Sequence, residues 1–244
     1  ILKIHSPAAL ARRAAAGMTT LEYAVYLPRR TQDRDGAASY LPTAAPPSTF
    51  TSDDLVARGF AATGTGGWFR LTNRVVRIEA ELAYLHASLD QPSLIPGAAI
   101  TTPVTSSQLG IAVESDIAAG DAIRFGADGG YASGDSAPGF GAFPQPNQTS
   151  TVPGQFDGPQ ANLPRDHTVD NFRFHPAYHI DQILFREIIG TITDAMYIRP
   201  HVRTTLTGIG AGRLEAGAAL IASWAVEATS TPSGQRALGI EVVP

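Results

Sequence analysis

Cysteine is absent from the 244 residues, which removes disulfides and thiolate metal sites. That absence fits an oxidising envelope compartment. Lysine occurs once, as Lys3, and charged residues make up only 16% of the chain, against roughly 25% in an ordinary soluble domain. No tract of about 18 apolar residues is present, and 24 glycines and 18 prolines punctuate the chain, which argues against helical membrane spans. The net charge of -4 leaves no basic footprint for nucleic acid. No nucleophile elbow, phosphate loop or dinucleotide fingerprint stands out. The run Thr63-Gly64-Thr65-Gly66-Gly67 lacks the Lys-Ser/Thr that a phosphate cradle needs. The chain therefore reads as a non-enzyme without a cofactor.

What is present is alternation. In 213–227, Leu214, Ala216, Ala218, Leu220, Ala222, Trp224 and Val226 share one parity, and Arg213, Glu215 and Glu227 lie on the other. In 195–206, Met196, Ile198, Val202 and Leu206 oppose Tyr197, Arg199, His201 and Arg203. This is the period of a strand with one apolar face. Each run reaches about 10 residues, enough to cross a hydrocarbon layer as a tilted strand. The same pattern places strands near 20–30, 68–74, 76–88, 107–115, 121–131 and 237–243. Ser6-Pro7 followed by alanines and Gly17 has the punctuation of a short helix.

The expected fold class is all-β: an antiparallel transmembrane β-barrel, or a fragment of one, with long external loops and one or two short helices. A soluble β-sandwich, acting as a binding module, is the alternative, since its strands alternate too. The polar parity favours the barrel: it mixes Arg, Tyr, His, Glu and Gly, which suits a crowded lumen. The luminal candidates are Arg70, Arg74, Arg77, Glu79, Glu81, Glu114, Arg124, Asp128, Tyr197, Arg199, His201, Arg203, Arg213 and Glu215. With Glu227 and Glu241 counted inward, the two signs balance.

The loops 29–67, 89–105 and 134–170 fall on one side of such a wall, and the glycine-rich turn 207–212 on the other. The stretch 133–193 reads as a loop insert, in which 176–189 has helical spacing of Ile180, Ile183, Leu184 and Ile188 before Gly190. It is expected not to span, but to pack near the barrel mouth. His175 and His179 are four apart and could share a metal on a helix, but Pro176 separates them and no Glu completes a zinc motif. Asp128, Asp135, Asp166 and Asp170 are possible calcium ligands. Solvated loop residues are the simpler reading of both sets, and no metal is assigned. On parity alone, arginine in place of Leu220 should be far more harmful than in place of Ile221.

The run from Asp170-Asn171-Phe172-Arg173-Phe174-His175-Pro176-Ala177-Tyr178-His179-Ile180-Asp181 through to Thr193 resembles a family of predicted outer-membrane β-barrel proteins of myxobacteria and related bacteria. Tyr131-Ala132-Ser133-Gly134-Asp135, Arg30-Thr31-Gln32-Asp33 and Arg236-Ala237-Leu238-Gly239-Ile240-Glu241 add to the likeness. That family is distantly similar to the alginate-export porins. The resemblance implies a bacterial outer-membrane location and outer-membrane lipid as a partner. The function expected is a passive channel or export pore for a polar solute, such as a saccharide. A plugged structural barrel whose external loops bind a surface partner is the alternative, and self-association or a surface assembly is a further expectation. Family members continue past the position of Pro244 through further strands. The chain opens Ile1-Leu2-Lys3 without an apolar leader. Both features read as a mature piece of a longer barrel.

Overall fold

A strand whose side chains alternate between apolar and polar needs a neighbour on each edge for its backbone and a different medium on each face. Both needs shape this chain. The computed structural model describes residues 1–36, 52, 55–92, 103–137, 167–209 and 212–244, without the side chains of 208, 209, 212 and 213. The strands in chain order are β1 (Leu2–Lys3), β2 (Thr20–Tyr26), β3 (Arg29–Gly36), β4 (Leu55–Thr72), β5 (Val76–Leu89), β6 (Val104–Ala119), β7 (Ile123–Ala132), β8 (Ala195–Ile209), β9 (Gly212–Ala225) and β10 (Ala237–Val243). They form one antiparallel sheet in the order β1-β2-β4-β5-β6-β7-β8-β9-β10, with β3 also on β4. The all-β class is thus present. The sheet is open, however, so the described residues do not form the closed barrel expected from the sequence.

Helix α1 (Pro7–Ala15) sits where the punctuation places it, with the Ser6 hydroxyl accepting from the Ala9 amide at 3.3 Å. Two corrections concern the first third of the chain. The stretch 29–67, expected to be loop, contains β3 and the first half of β4. Strands β2 and β3 both pair with β4, against Gly66–Thr72 and Leu55–Thr63 respectively. They are two halves of one strand broken at Leu27-Pro28, because proline has no N–H to give the ladder. The chain turns between β4 and β5 at Asn73, whose Oδ1 accepts from the Val75 and Val76 amides at 2.8 Å each.

The third correction is the helix expected at 176–189. Only Leu184–Ile189 is helical, as a six-residue π-helical segment closed by Gly190 in the left-handed region. The amide protons that a helix would feed to its own carbonyls go elsewhere. Glu241 on β10 accepts from Gln182 and Leu184 at 2.9 Å, and Asp181 accepts from Phe185 at 2.6 Å.

From β3 to β10 the connections differ sharply between the two ends of the sheet. Residues 73–75, 120–122 and 210–211 join strands at one end. At the other lie the intervals 37–54, 90–103, 133–194 and 226–236. Register makes the two faces contrast as well. On one, the cross-strand row Tyr23, Phe69, Ala80, Val113, Gly129 and Ile198 is apolar throughout, and Val76, Ile117, Phe125 and Val202 form a second such row. Most of their large side chains are exposed, Phe69 44% and Ile198 49%, as is Leu220 on the same face of β9 at 44%. Each such side chain left in water forgoes about 1.5–3 kcal/mol of burial. A sandwich would cover this face with a second sheet, and the described residues make only one sheet.

Candidate functional site

The opposite face is polar at its centre and small-residued toward the long-connection end. The central row runs Glu22, Arg70, Glu79, Glu114, Asp128 and Arg199, one residue from each of six neighbouring strands. The next row toward the short turns carries Arg77, Asp116 and His201. Partners directly and diagonally opposite on an antiparallel face are within reach of long side chains. Here that reach makes an ion-pair ladder. Arg70 meets Glu22 at 2.6 Å and Glu79 at 3.9 Å. Arg77 meets Glu79, Glu114 at 3.2 Å and Asp116 at 3.5 Å. Arg203 joins Asp116 at 2.9 Å, while Asp128 holds Arg199 at 2.8 Å with His201 at 3.4 Å. The Trp68 indole donates to Glu79 at 2.6 Å. Glu22 is almost wholly buried. Removing Arg70 would leave that carboxylate with only His5, whose amide donates to it at 2.7 Å, and would destabilise the face.

Toward the long connections, the row Gly66, Ala83, Gly110, Ala132, Ala195 and Ala225 is small throughout. Small side chains leave room for the insert 167–194 to lie on this face. Phe172 rests on Gly110, where any Cβ would run into its ring, and Tyr197 lies over Gly130 in the same way. Phe174, Ile180, Phe185 and Ile192 bury themselves with Ala132, Ala195 and Tyr197. The insert is also tied down by polar contacts. Ser133 Oγ donates to the Asp170 carbonyl at 2.6 Å, Asp135 accepts from the Asp170 amide at 2.9 Å, and Asp170 Oδ1 accepts from the Ser107 amide at 2.6 Å. The Tyr178 and Tyr197 hydroxyls lie 2.9 Å apart. At the far end, buried Asp194 accepts from the Glu227 amide at 2.7 Å and from the Ser230 hydroxyl. Burial pushes the Asp194 carboxyl up to about 6.

Of the luminal candidates, Arg70, Arg77, Glu79, Glu114, Asp128, Arg199, His201 and Arg203 belong to the ladder. Glu81 and Tyr197 share the face nearer the insert. Arg74 does not belong: it projects from the short turn, 77% exposed, 3.8 Å from Asp121. Arg124 and Glu215 line a rim cavity of about 440 Å³ at the same end. The Arg213 side chain lies outside the described residues. The expected balance of charge fails at the centre for two reasons: Arg74 and Arg124 sit at the rim, and the carboxylates of Asp116 and Glu22 join the ladder. Asp116 was legible in principle, since it continues the Glu114 parity one step past the expected strand end. Glu227 falls beyond β9, and Glu241 grips the insert.

Between the insert and the ladder lies a cavity of about 310 Å³ lined by Arg77, Glu114, Asp116, Asp128, His179 and Arg199. A larger one, about 560 Å³, opens on the other side of Tyr178. No group of three His, Asp or Glu able to hold a metal occurs among the described residues. Asp135 and Asp170 spend their carboxylates on backbone amides, and His175 Nδ1 accepts from the Ala177 amide at 3.1 Å. Asp166 lies outside the described residues. No family model, curated protein or solved structure matches the chain.

Proposed function

We propose that the sheet is part of the wall of an outer-membrane β-barrel whose polar face forms a passive channel or export pore for a polar solute, narrowed by the insert 167–194. The observation that carries the reading is the division between faces: cross-strand rows of exposed apolar side chains on one, a ladder of paired charges on the other. Lipid is the medium in which an exposed apolar face of this extent is stable. β4, β5, β6, β8 and β9, at 14 to 18 residues, are longer than the roughly 9–11 a tilted spanning strand needs. The excess of carboxylates beside Arg70, Arg77, Arg199 and Arg203 favours cations over anions at the narrow point.

A second reading has its own support, because the insert buries Phe174, Phe185 and Ile192 against the wall and reaches from β6 to β10. On that reading the lumen is plugged and the connections at the long end bind a surface partner. Planar-bilayer recording of the detergent-purified chain decides between them. Discrete, cation-preferring openings are expected for the pore. A correctly inserted but silent protein would favour the plug. Recovery of the intact protein from the soluble fraction without detergent would remove both.

A further inference from the structure

Every charge of the central ladder has an oppositely charged partner, but two charges beside the insert have none. Glu81 on β5 and Arg173 in the insert line the same 560 Å³ cavity, and neither forms an ion pair with the other or with any described residue. Glu81 accepts only the Tyr26 hydroxyl, at 3.2 Å, and Arg173 is exposed. The cavity has an apolar body as well. Phe172 and Phe174 meet edge to face at 5.6 Å, Phe174 and Tyr178 lie 5.4 Å apart, and the small side chains of Ala83 and Ala112 complete the lining. Its volume falls within the ~300–1,000 Å³ of small-molecule sites. An isolated carboxylate and an isolated guanidinium around an aromatic cavity call for a ligand with both signs of charge and an apolar part.

We propose that this cavity binds a zwitterionic amino compound with an apolar side chain, of the size of an α-amino acid or dipeptide. The ammonium is held by Glu81, the carboxylate by Arg173, and the side chain lies against the rings of Phe172, Phe174 and Tyr178. This names a solute class for the polar face and rests on reading that face as a solute path. A simple anion would leave Glu81 uncompensated, and a simple cation would leave Arg173 so.

Trp68 is the cross-strand partner of Glu81 and one of two tryptophans, so Trp224→Phe leaves it as the single reporter. Its fluorescence in the full chain, in detergent, would be titrated with L-phenylalanine, phenethylamine and 3-phenylpropanoate. L-phenylalanine is expected to bind saturably, and about tenfold or more tighter than either single-charge analogue. Glu81→Gln should erase the preference over 3-phenylpropanoate, and Arg173→Gln the preference over phenethylamine, with unchanged circular dichroism. No saturable change, equal binding of all three, or unaltered selectivity in both variants would overturn the site. Binding with silent bilayers would sink the channel and keep the site. Conductance without binding would do the reverse.

Discussion

The hydroxyl of Tyr178 in the insert and that of Tyr197 on β8 face each other at 2.9 Å, in a setting where Tyr197 is only 4% exposed. This contact joins the insert to the wall midway between its anchors at Gly110 and Glu241. Tyr178→Phe leaves the Tyr197 hydroxyl buried without that partner, at about 1–3 kcal/mol. The expected result is faster hydrogen exchange at the Phe174 amide, which bonds to the Ile192 carbonyl at 3.0 Å. Replacing both tyrosines by Phe should restore much of the protection, because no unpaired hydroxyl remains. Burial pushes the Tyr178 phenol up to about 12, so the contact should persist through mildly alkaline pH. Exchange unchanged in the single variant would mean that the insert is held without this pair.

Leu82 and Glu81 are adjacent in the middle of β5, both exposed, on opposite faces. If the apolar face meets lipid, Leu82→Arg should destabilise the inserted protein by about 2–4 kcal/mol, and Glu81→Arg by much less. Equal shifts in urea unfolding from lipid vesicles would show that the two faces meet the same solvent. This pair serves better than Leu220 and Ile221. Ile221, expected from parity to tolerate arginine, is fully buried on the polar face, so either substitution there is damaging.

Where alternation was strong, the sequence carried the strand. The spans 76–88 and 237–243 correspond to Val76–Leu89 and Ala237–Val243. Where it was weak, local pattern failed. β3 reads Arg-Arg-Thr-Gln-Asp-Arg-Asp-Gly, with no apolar residue to alternate, and is a strand because β4 offers it a free edge. The insert failed for the opposite reason: its apolar spacing is helical, but Ile180 and Leu184 pack on the wall while Ile183 and Ile188 stay exposed, and its amides go to Asp181 and to Glu241, which is distant from them only in sequence. The polar face was legible as a parity and not as a network, since pairing depends on register across five strand junctions.

Asp194 has a φ of 46°, tolerable for Asp or Asn, and sits outside the strands. Its folded carboxyl is raised to about 6 from an unfolded value near 4. The neutral form is therefore the one that folding favours. This contribution is fully present below about pH 4 and is lost as pH rises through about 6. Asp194→Asn keeps the backbone conformation and should flatten the stability profile between those limits. A profile that keeps its slope would assign it to another group.

Single cysteines test which end faces outward, because the protein has none of its own. Asp121 lies fully exposed at the short-turn end, and Ser233 is exposed in the connection between β9 and β10 at the other. In an outer-membrane barrel the long connections face the exterior. An impermeant maleimide on whole cells should label Ser233→Cys and spare Asp121→Cys. The reverse pattern would invert the assignment.

The insert lies between β7 and β8 in the chain, yet one of its polar grips is on Glu241 of β10, so its docking depends on strands made after it. Assembly therefore has an order: the wall from β6 to β10 must zip before the strap can lock. Until then the aromatic side chains of the strap have no surface to cover, and the polar face stays open along its length. The strap thus acts as a latch on a finished wall, and truncating the chain before β10 should leave the sheet without its fastening.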